Sequence, residues 1–589
     1  TYILSIFLLK SMNKNNIISY IIIILITVLW IFHSQLFWYF WYENLIVDWN
    51  YEYSKVMLFN TLFPIIFIIF ITSTYIRKQK IYISKKIFFY LFLILFFLTL
   101  STYYSLIPNI SFFWWIDKWH WYIFNVNLVL FFILIYHIFQ NNKSKILLKS
   151  ILFIIWLLTV IWIKELYFPS YNYWDLWDRL ISTLWHPNYV SALYILVFPY
   201  LINLFKNYWW YKKYISWIII LLFLFWLILT KSLIAIFLIF SYIIFELFWK
   251  NKTKYFLIFI TTIAFLWLVI IFKYYPEKLN SLISRYYIWE TSIKIILSDI
   301  KIFFFWIWSE NLNLLFWNFK STELYLYENI WFNADRPHNI FINIWLHYWI
   351  FLLGLFYYLF YKLFLNITKY NYWYDYSLFL IIIFWCFNFP NIIWYLFFII
   401  ILAYKLSKII IDKKYNYRQN IIIKIFIAFL TMVSLVWSYY SIHSYKSQTL
   451  IKQNNYNWAV QQFPYYWEYH YNNYKFDDWL AAENKFYTEK YYLYKLYFSF
   501  KKIDECDELL IHYPSIENYF YCWELIENKF WFEQAKIYYQ KWIEKFPKIW
   551  DNKYSYLESF PWKYVINPDR ILHPKFSNIR NILKKLNIK

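Results

Sequence analysis

Residues 335 to 339 read Asp-Arg-Pro-His-Asn and stand where a long polar stretch gives way to an apolar block. The imidazole of His338 can take up a proton near neutral pH, which suits deprotonation of an attacking hydroxyl. Two further clusters carry related groups. Residues 175 to 194, DLWDRLISTLWHPNYVSALY, bring Arg179, His186 and Asn188 just ahead of another apolar block, and Arg285 stands near the start of SRYYIWETSIKIILSDIKIFFFWIWSENLNLLFW. Guanidinium forks match phosphate or carboxylate oxygens bidentately, so they suit an anionic ligand or leaving group. Plainer readings stand beside these. Arg179 lies near Asp175 and Asp178 and could simply pair with them; Arg285 could be an ordinary loop cation; Arg336 could anchor an interface. His338 followed by Asn339 is also what a helix start looks like. His186, Asn188 and Asn339 are expected to shape their loops. The chain has no Gly-rich phosphate loop, no DxD pair set and no zinc spacing, so neither a metal nor another cofactor is expected.

The elements that must hold these groups are apolar. Of the 589 residues 62% are hydrophobic and 15% charged, and the apolar ones form repeated blocks of about 20, the length that crosses hydrocarbon as a helix. The expected fold is all-α and polytopic, with about 12 to 13 spans from near 17 to 39 through to near 421 to 442. Basic residues alternate between the intervening loops. Arg77 with Lys78, Lys143 with Lys145, Lys206 with Lys212, and Lys250 with Lys252 fall on one side, whereas the loop 40 to 53 carries Glu43, Asp48 and Glu52 and no basic residue. The positive-inside rule then puts the N-terminus in the cytoplasm and places 167 to 188, 274 to 338 and everything after 443 outside. It also accounts for the net charge of +23 without nucleic acid, which is not expected as a partner.

The domain organisation read from composition is a membrane part over 12 to 443, with a large outer loop over 274 to 338, and a helical outer domain over 444 to 589. Met12 followed by Asn13 and Lys14 makes residues 1 to 11 read as upstream readthrough. Within the last part, YCWELIENKFWFEQAKIYYQKWIEKFPK is similar to a tetratricopeptide unit, with Ala535 at a tight helix crossing and Pro547 closing it. Pro514 precedes Pro547 by 33 residues, close to the ~34-residue period. That domain would either dock an acceptor or partner or only add stability. Cys386, Cys506 and Cys522 form no metal spacing and no disulfide framework.

One compositional anomaly touches everything above. The chain has 38 Trp and a single Gly, Gly354, whereas about 7% Gly would give roughly 41. Enrichment in Ile, Lys, Asn, Tyr and Phe fits an AT-rich genome, and some bacterial lineages with such genomes read UGA as glycine. The expectation is that most Trp positions here are glycine. Trp114 with Trp115, Trp209 with Trp210, and Trp306 with Trp308 sit at loops or loop edges, where backbone freedom is useful. Trp345 and Trp349, followed by Gly354, would then form a small-residue packing face.

With that substitution STLWHPNYVSALYI becomes STLGHPNYVSALYI, SDIKIFFFWIWSENL becomes SDIKIFFFGIGSENL, and RPHNIFINIWLHYWIFLLGLF becomes RPHNIFINIGLHYGIFLLGLF. These stretches, with SFFWWIDKWHWYIF before them, resemble the ordered conserved segments of the O-antigen ligase and polymerase family over roughly residues 100 to 400. The resemblance implies a membrane glycosyltransferase that moves a glycan from an undecaprenyl-diphosphate carrier to a lipid, glycan or protein acceptor outside the cytoplasmic membrane. It implies His338 as the catalytic base and Arg179 and Arg285 as diphosphate ligands, with Arg336 as a further candidate. Where relatives often carry a Ser-Arg pair, Lys231 and Ser232 are followed by Leu233, so a phosphate contact there would fall to Lys231. A ligase, a polymerase and a protein O-oligosaccharyltransferase all remain open within the class, and a lipid-linked glycan flippase or other transporter remains open outside it.

Overall fold

A computed structural model describes residues 51–76, 83–104, 122–140, 187–207, 210–248, 276–305, 337–348, 350–370, 372–388, 392–411 and 421–452, with scattered single positions between and after them. Among the described residues the ordered elements are helices and none is a strand. They are α1 (Tyr51–Ile76), α2 (Lys85–Tyr103), α3 (Tyr122–Gln140), α4 (Pro187–Asn207), α5 (Trp210–Leu229), α6 (Leu233–Phe248), α7 (Pro276–Leu297), α8 (Ile300–Phe305), α9 (Ile340–Tyr348), α10 (Ile350–Tyr370), α11 (Trp373–Trp385), α12 (Ile392–Ile411) and α13 (Ile421–Lys452). Five of them, α1, α2, α3, α10 and α13, are long and apolar enough to cross a membrane, and α4, α5, α6 and α11 contain shorter apolar stretches. The spans expected near 17 to 39, 146 to 166 and 255 to 273, and most of the tetratricopeptide-like stretch, lie outside the described residues.

The span expected over 339 to 361 is covered by α9 and α10, and residue 349 between them lies outside the described residues. The boundary expected at 443 to 444 falls inside α13, which runs on to Lys452.

The chain divides into two compact units. One contains α1 to α6, most of α10, and α11 to α13; the other contains α7 to α9 and the described positions beyond 484. In the first unit α3 is the most enclosed element. It is apolar all round, and 94% of it is buried, as expected for a helix with no polar face to show to solvent. It packs against α12, α1 and α13. Phe59 and Phe63 of α1 meet Phe131 of α3 edge-on at 6.1 and 5.7 Å. By contrast only 17% of the apolar stretch of α10 is buried. Among the described residues nothing lies within 4 Å of where a Cβ on Gly354 would stand.

Polar side chains tie α1, α3 and α13 together inside this apolar packing. Asn127 Nδ2 donates to Asn60 Oδ1 at 2.8 Å, Ser434 Oγ donates to Asn127 Oδ1, and Ser438 Oγ donates to the Asn60 carbonyl at 3.0 Å. Such bonds between apolar helices are typically worth about 0.6 kcal/mol each.

Candidate functional site

In the second unit α7 is amphipathic. Ile288, Ile295 and Ile296 face a buried cluster with Leu312, Phe316, Leu324, Ala334 and Leu346 of the following segment and α9. Its solvent side carries Lys294 and Glu290, paired at 2.6 Å, and Arg285 stands half-buried three residues before Ile288. Trp345 of α9 packs edge-on against Phe303 of α8 at 5.4 Å and donates its indole N–H to the Phe303 carbonyl at 3.3 Å. Ser321 N–H donates to Thr291 Oγ1 at 3.2 Å, which fastens the intervening loop to α7. The buried apolar cluster and the Ser321–Thr291 bond, which do not depend on an indole at 345, fix the entry to α9.

That entry is where His338 lies. Asn339 is the N-cap of α9: its side-chain oxygen accepts from the N–H groups of Phe341 at 2.9 Å and Ile342 at 3.2 Å, and its carbonyl accepts from Asn343 at 2.8 Å. Asn339 thus satisfies backbone donors that the first helical turn would otherwise leave open. His338, immediately before it and half-buried, has φ 52°. This left-handed backbone is uncommon for a residue other than glycine, although His is among the types that tolerate it best. Holding it costs on the order of 1–3 kcal/mol, which the surrounding structure must supply.

Lys231 has φ 49° and is the one other non-glycine residue with positive φ among the described residues. It is the exposed tip of the turn between α5 and α6. Lys231 N–H donates to the Ile228 carbonyl at 2.9 Å, Thr230 Oγ1 donates to the Leu227 carbonyl at 2.7 Å, and Ser232 N–H donates to Thr230 Oγ1 at 3.3 Å. Three residues reverse the chain here, and the middle one absorbs the strain.

Asn188 falls in the first turn of α4 and not in the loop before it. Its side-chain amide donates to Asn388 Oδ1 at 3.0 Å, just past the end of α11. Contacts along the helices then sort the first unit into two ends. Tyr200 of α4 meets Trp373 at the start of α11 at 4.7 Å, and Phe205 meets Trp217 of α5 at 5.1 Å, so both neighbours run antiparallel to α4. Asn188, Asn388 and Lys231 therefore share one end. Phe124 of α3 meets Tyr395 near the start of α12 at 6.0 Å and Phe59 of α1 at 6.0 Å, which adds Asn60 and Asn127 to the same end.

The opposite end carries ion pairs. Lys206 of α4 pairs with Glu246 of α6, which also accepts from the Tyr242 hydroxyl at 3.1 Å. Lys405 of α12 pairs with Asp375 of α11 at 2.6 Å. The sequence reading singled out none of these four for a site, because the partners are separated by 30 to 40 residues and form no motif.

Two buried lysines were also missed. Lys55, at 0% exposed, stands in the first turns of α1, and Lys320, at 9%, lies in the loop fastened to α7. Lysine is seldom so enclosed. Lys55 had a signal in the sequence: it begins an apolar block beside a loop otherwise free of basic residues. Arg179, His186 and Arg336 lie outside the described residues. No group of His, Cys, Asp and Glu among the described residues has the arrangement of a metal site. No family model, curated protein or solved structure matches the chain.

Proposed function

We propose that the chain is a multi-pass glycosyltransferase of the cytoplasmic membrane, N-terminus inside and C-terminal helical region outside, which transfers a glycan from undecaprenyl diphosphate to an acceptor on the outer side. In this reading the acceptor hydroxyl attacks the anomeric carbon and gives its proton to the His338 imidazole. The bond from that carbon to the diphosphate oxygen breaks with inversion, and undecaprenyl diphosphate leaves, its growing negative charge met by Arg179, Arg285 and Lys231, with Arg336 as a further cation. The product is ligase-like, with a polymerase or a protein O-oligosaccharyltransferase as variants of the same chemistry.

The observation that carries this reading is the backbone at His338. A left-handed histidine, held by the Asn339 cap at the head of α9 and braced by α7, is the kind of maintained strain that clusters at working sites. The second strained position, Lys231, is another residue singled out for the same chemistry. A lipid-linked glycan flippase or other transporter is the second reading, and the enclosed Lys405–Asp375 pair favours it, since ionisable groups among apolar helices often mark translocation routes.

The deciding assay supplies purified full-length protein in liposomes with undecaprenyl-diphosphate glycan and candidate acceptors, and reads free undecaprenyl diphosphate. Wild type releases it with glycan gained by an acceptor, and His338→Ala does not. Movement of intact lipid-linked glycan across the bilayer without release would replace this reading with the transporter.

A further inference from the structure

Cys506 and Cys522 lie on separate short helical stretches of the second unit, and both are 0% exposed. The Cys522 thiol points at the Cys506 carbonyl at 3.9 Å, so a chain separation of 16 residues is closed by a sulfur-to-backbone contact. Leu509, Leu510 and Ile526, on the same two stretches, are buried with them. Burial first, then contact with Cys506 and the nearby Asp507, hold the Cys522 thiol well above its ordinary pKa. A buried thiol of that kind is a poor nucleophile once the fold is complete.

We propose that Cys506 and Cys522 are a disulfide site that staples the C-terminal helical region. The inference rests on the outer placement of that region in the proposed function and is independent of glycan transfer. Both sulfurs are enclosed in the folded chain, so the bond forms while the segment folds. Two S–H bonds break and one S–S bond forms; the electron pair and two protons pass to the disulfide of an extracytoplasmic dithiol–disulfide oxidoreductase, which becomes a dithiol. Folding then shields the bond from reductants. The separation of the two cysteines in sequence gives no hint of this, because only the packing of one helical stretch on the next brings them together.

The test uses the full-length protein in membranes of cells with an oxidising extracytoplasmic space, quenched in acid and alkylated under denaturing conditions. The expected result is that neither Cys506 nor Cys522 takes up alkylating agent until a reductant is added, that peptide mapping finds them linked to each other, and that Cys522→Ser frees Cys506. Side is read separately in a full-length variant with Cys386, Cys506 and Cys522 changed to Ser and the 60% exposed Trp458 changed to Cys, labelled in intact cells with a membrane-impermeant maleimide. Labelling at 458 together with two freely alkylated native thiols overturns the disulfide and leaves the outer placement standing. Absence of labelling until the cells are opened overturns the placement and the disulfide with it.

Discussion

Lys405 Nζ lies 2.6 Å from Asp375 Oδ1, and the two side chains are 7% and 1% exposed. Removing one partner strands the other charge among apolar helices, which typically costs about 3–5 kcal/mol, whereas replacing both by apolar groups is often close to neutral. Lys405→Met should therefore unfold far more readily in detergent than wild type, and Lys405→Met with Asp375→Leu should recover most of the loss. If the pair is only structural, the double variant keeps glycan release. Its retention of stability with loss of lipid movement would instead mark a transport route.

The Asn339 cap and the His338 backbone separate stability from chemistry. Asn339→Ala removes the acceptor for two backbone donors and should cost about 1 kcal/mol. Asparagine tolerates left-handed φ well, so His338→Asn should melt within about 0.5 kcal/mol of wild type, as distant or well-tolerated changes do, yet release no undecaprenyl diphosphate. A β-branched residue fits that backbone poorly, and His338→Val should lose a further 1 kcal/mol or so. Melting and release measured on the three variants would show whether the cap and the base are separable.

At Lys231 the same logic runs the other way. Glycine adopts φ 49° freely, so Lys231→Gly should stabilise the turn between α5 and α6 by about 0.5–1 kcal/mol, while Lys231→Ala retains the strain. Both remove the ammonium, and both should raise the KM for the diphosphate donor. Equal KM values in wild type and both variants would take Lys231 out of the substrate site.

Tryptophan identity can be read directly. The tryptic peptide from Phe530 to Lys536 of protein isolated from its native cells should carry glycine at position 531, seen as the loss of one indole side chain in mass spectrometry. The structure adds a reason at another position: the indole N–H of Trp385 is buried and has no hydrogen-bond partner among the described residues, a cost of about 1–3 kcal/mol that glycine does not carry. A peptide with intact Trp at 531 would reject the recoding, and the family resemblance built on it would weaken accordingly.

Much of the helical layout was legible because length and apolarity alone govern it. Blocks of about 20 apolar residues read near 54 to 75, 87 to 107, 119 to 139 and 421 to 442 overlap α1, α2, α3 and α13. The candidate site was legible only in residue types. The order His338, Asn339 ahead of an apolar run reads as a helix start, but nothing in it says that His338 takes the left-handed turn. Contacts such as Asn188 with Asn388, Asp375 with Lys405 and Cys522 with Cys506 were illegible for a common reason: each depends on how one helix packs on another, and no short spacing encodes it.

The enclosure of α3 has a consequence for how the chain is made. Its main partners include α12 and α13, which begin at residues 392 and 421, so a ribosome must add more than two hundred further residues after Gln140 before those partners emerge. Until then Asn127 lacks the Ser434 hydroxyl that donates to it in the finished protein. If the chain is inserted during synthesis, α3 must wait beside the translocation machinery or a chaperone, or meet lipid with part of its polar network open. A ribosome stalled before residue 392 should therefore leave α3 crosslinkable to that machinery, and one stalled after residue 452 should not.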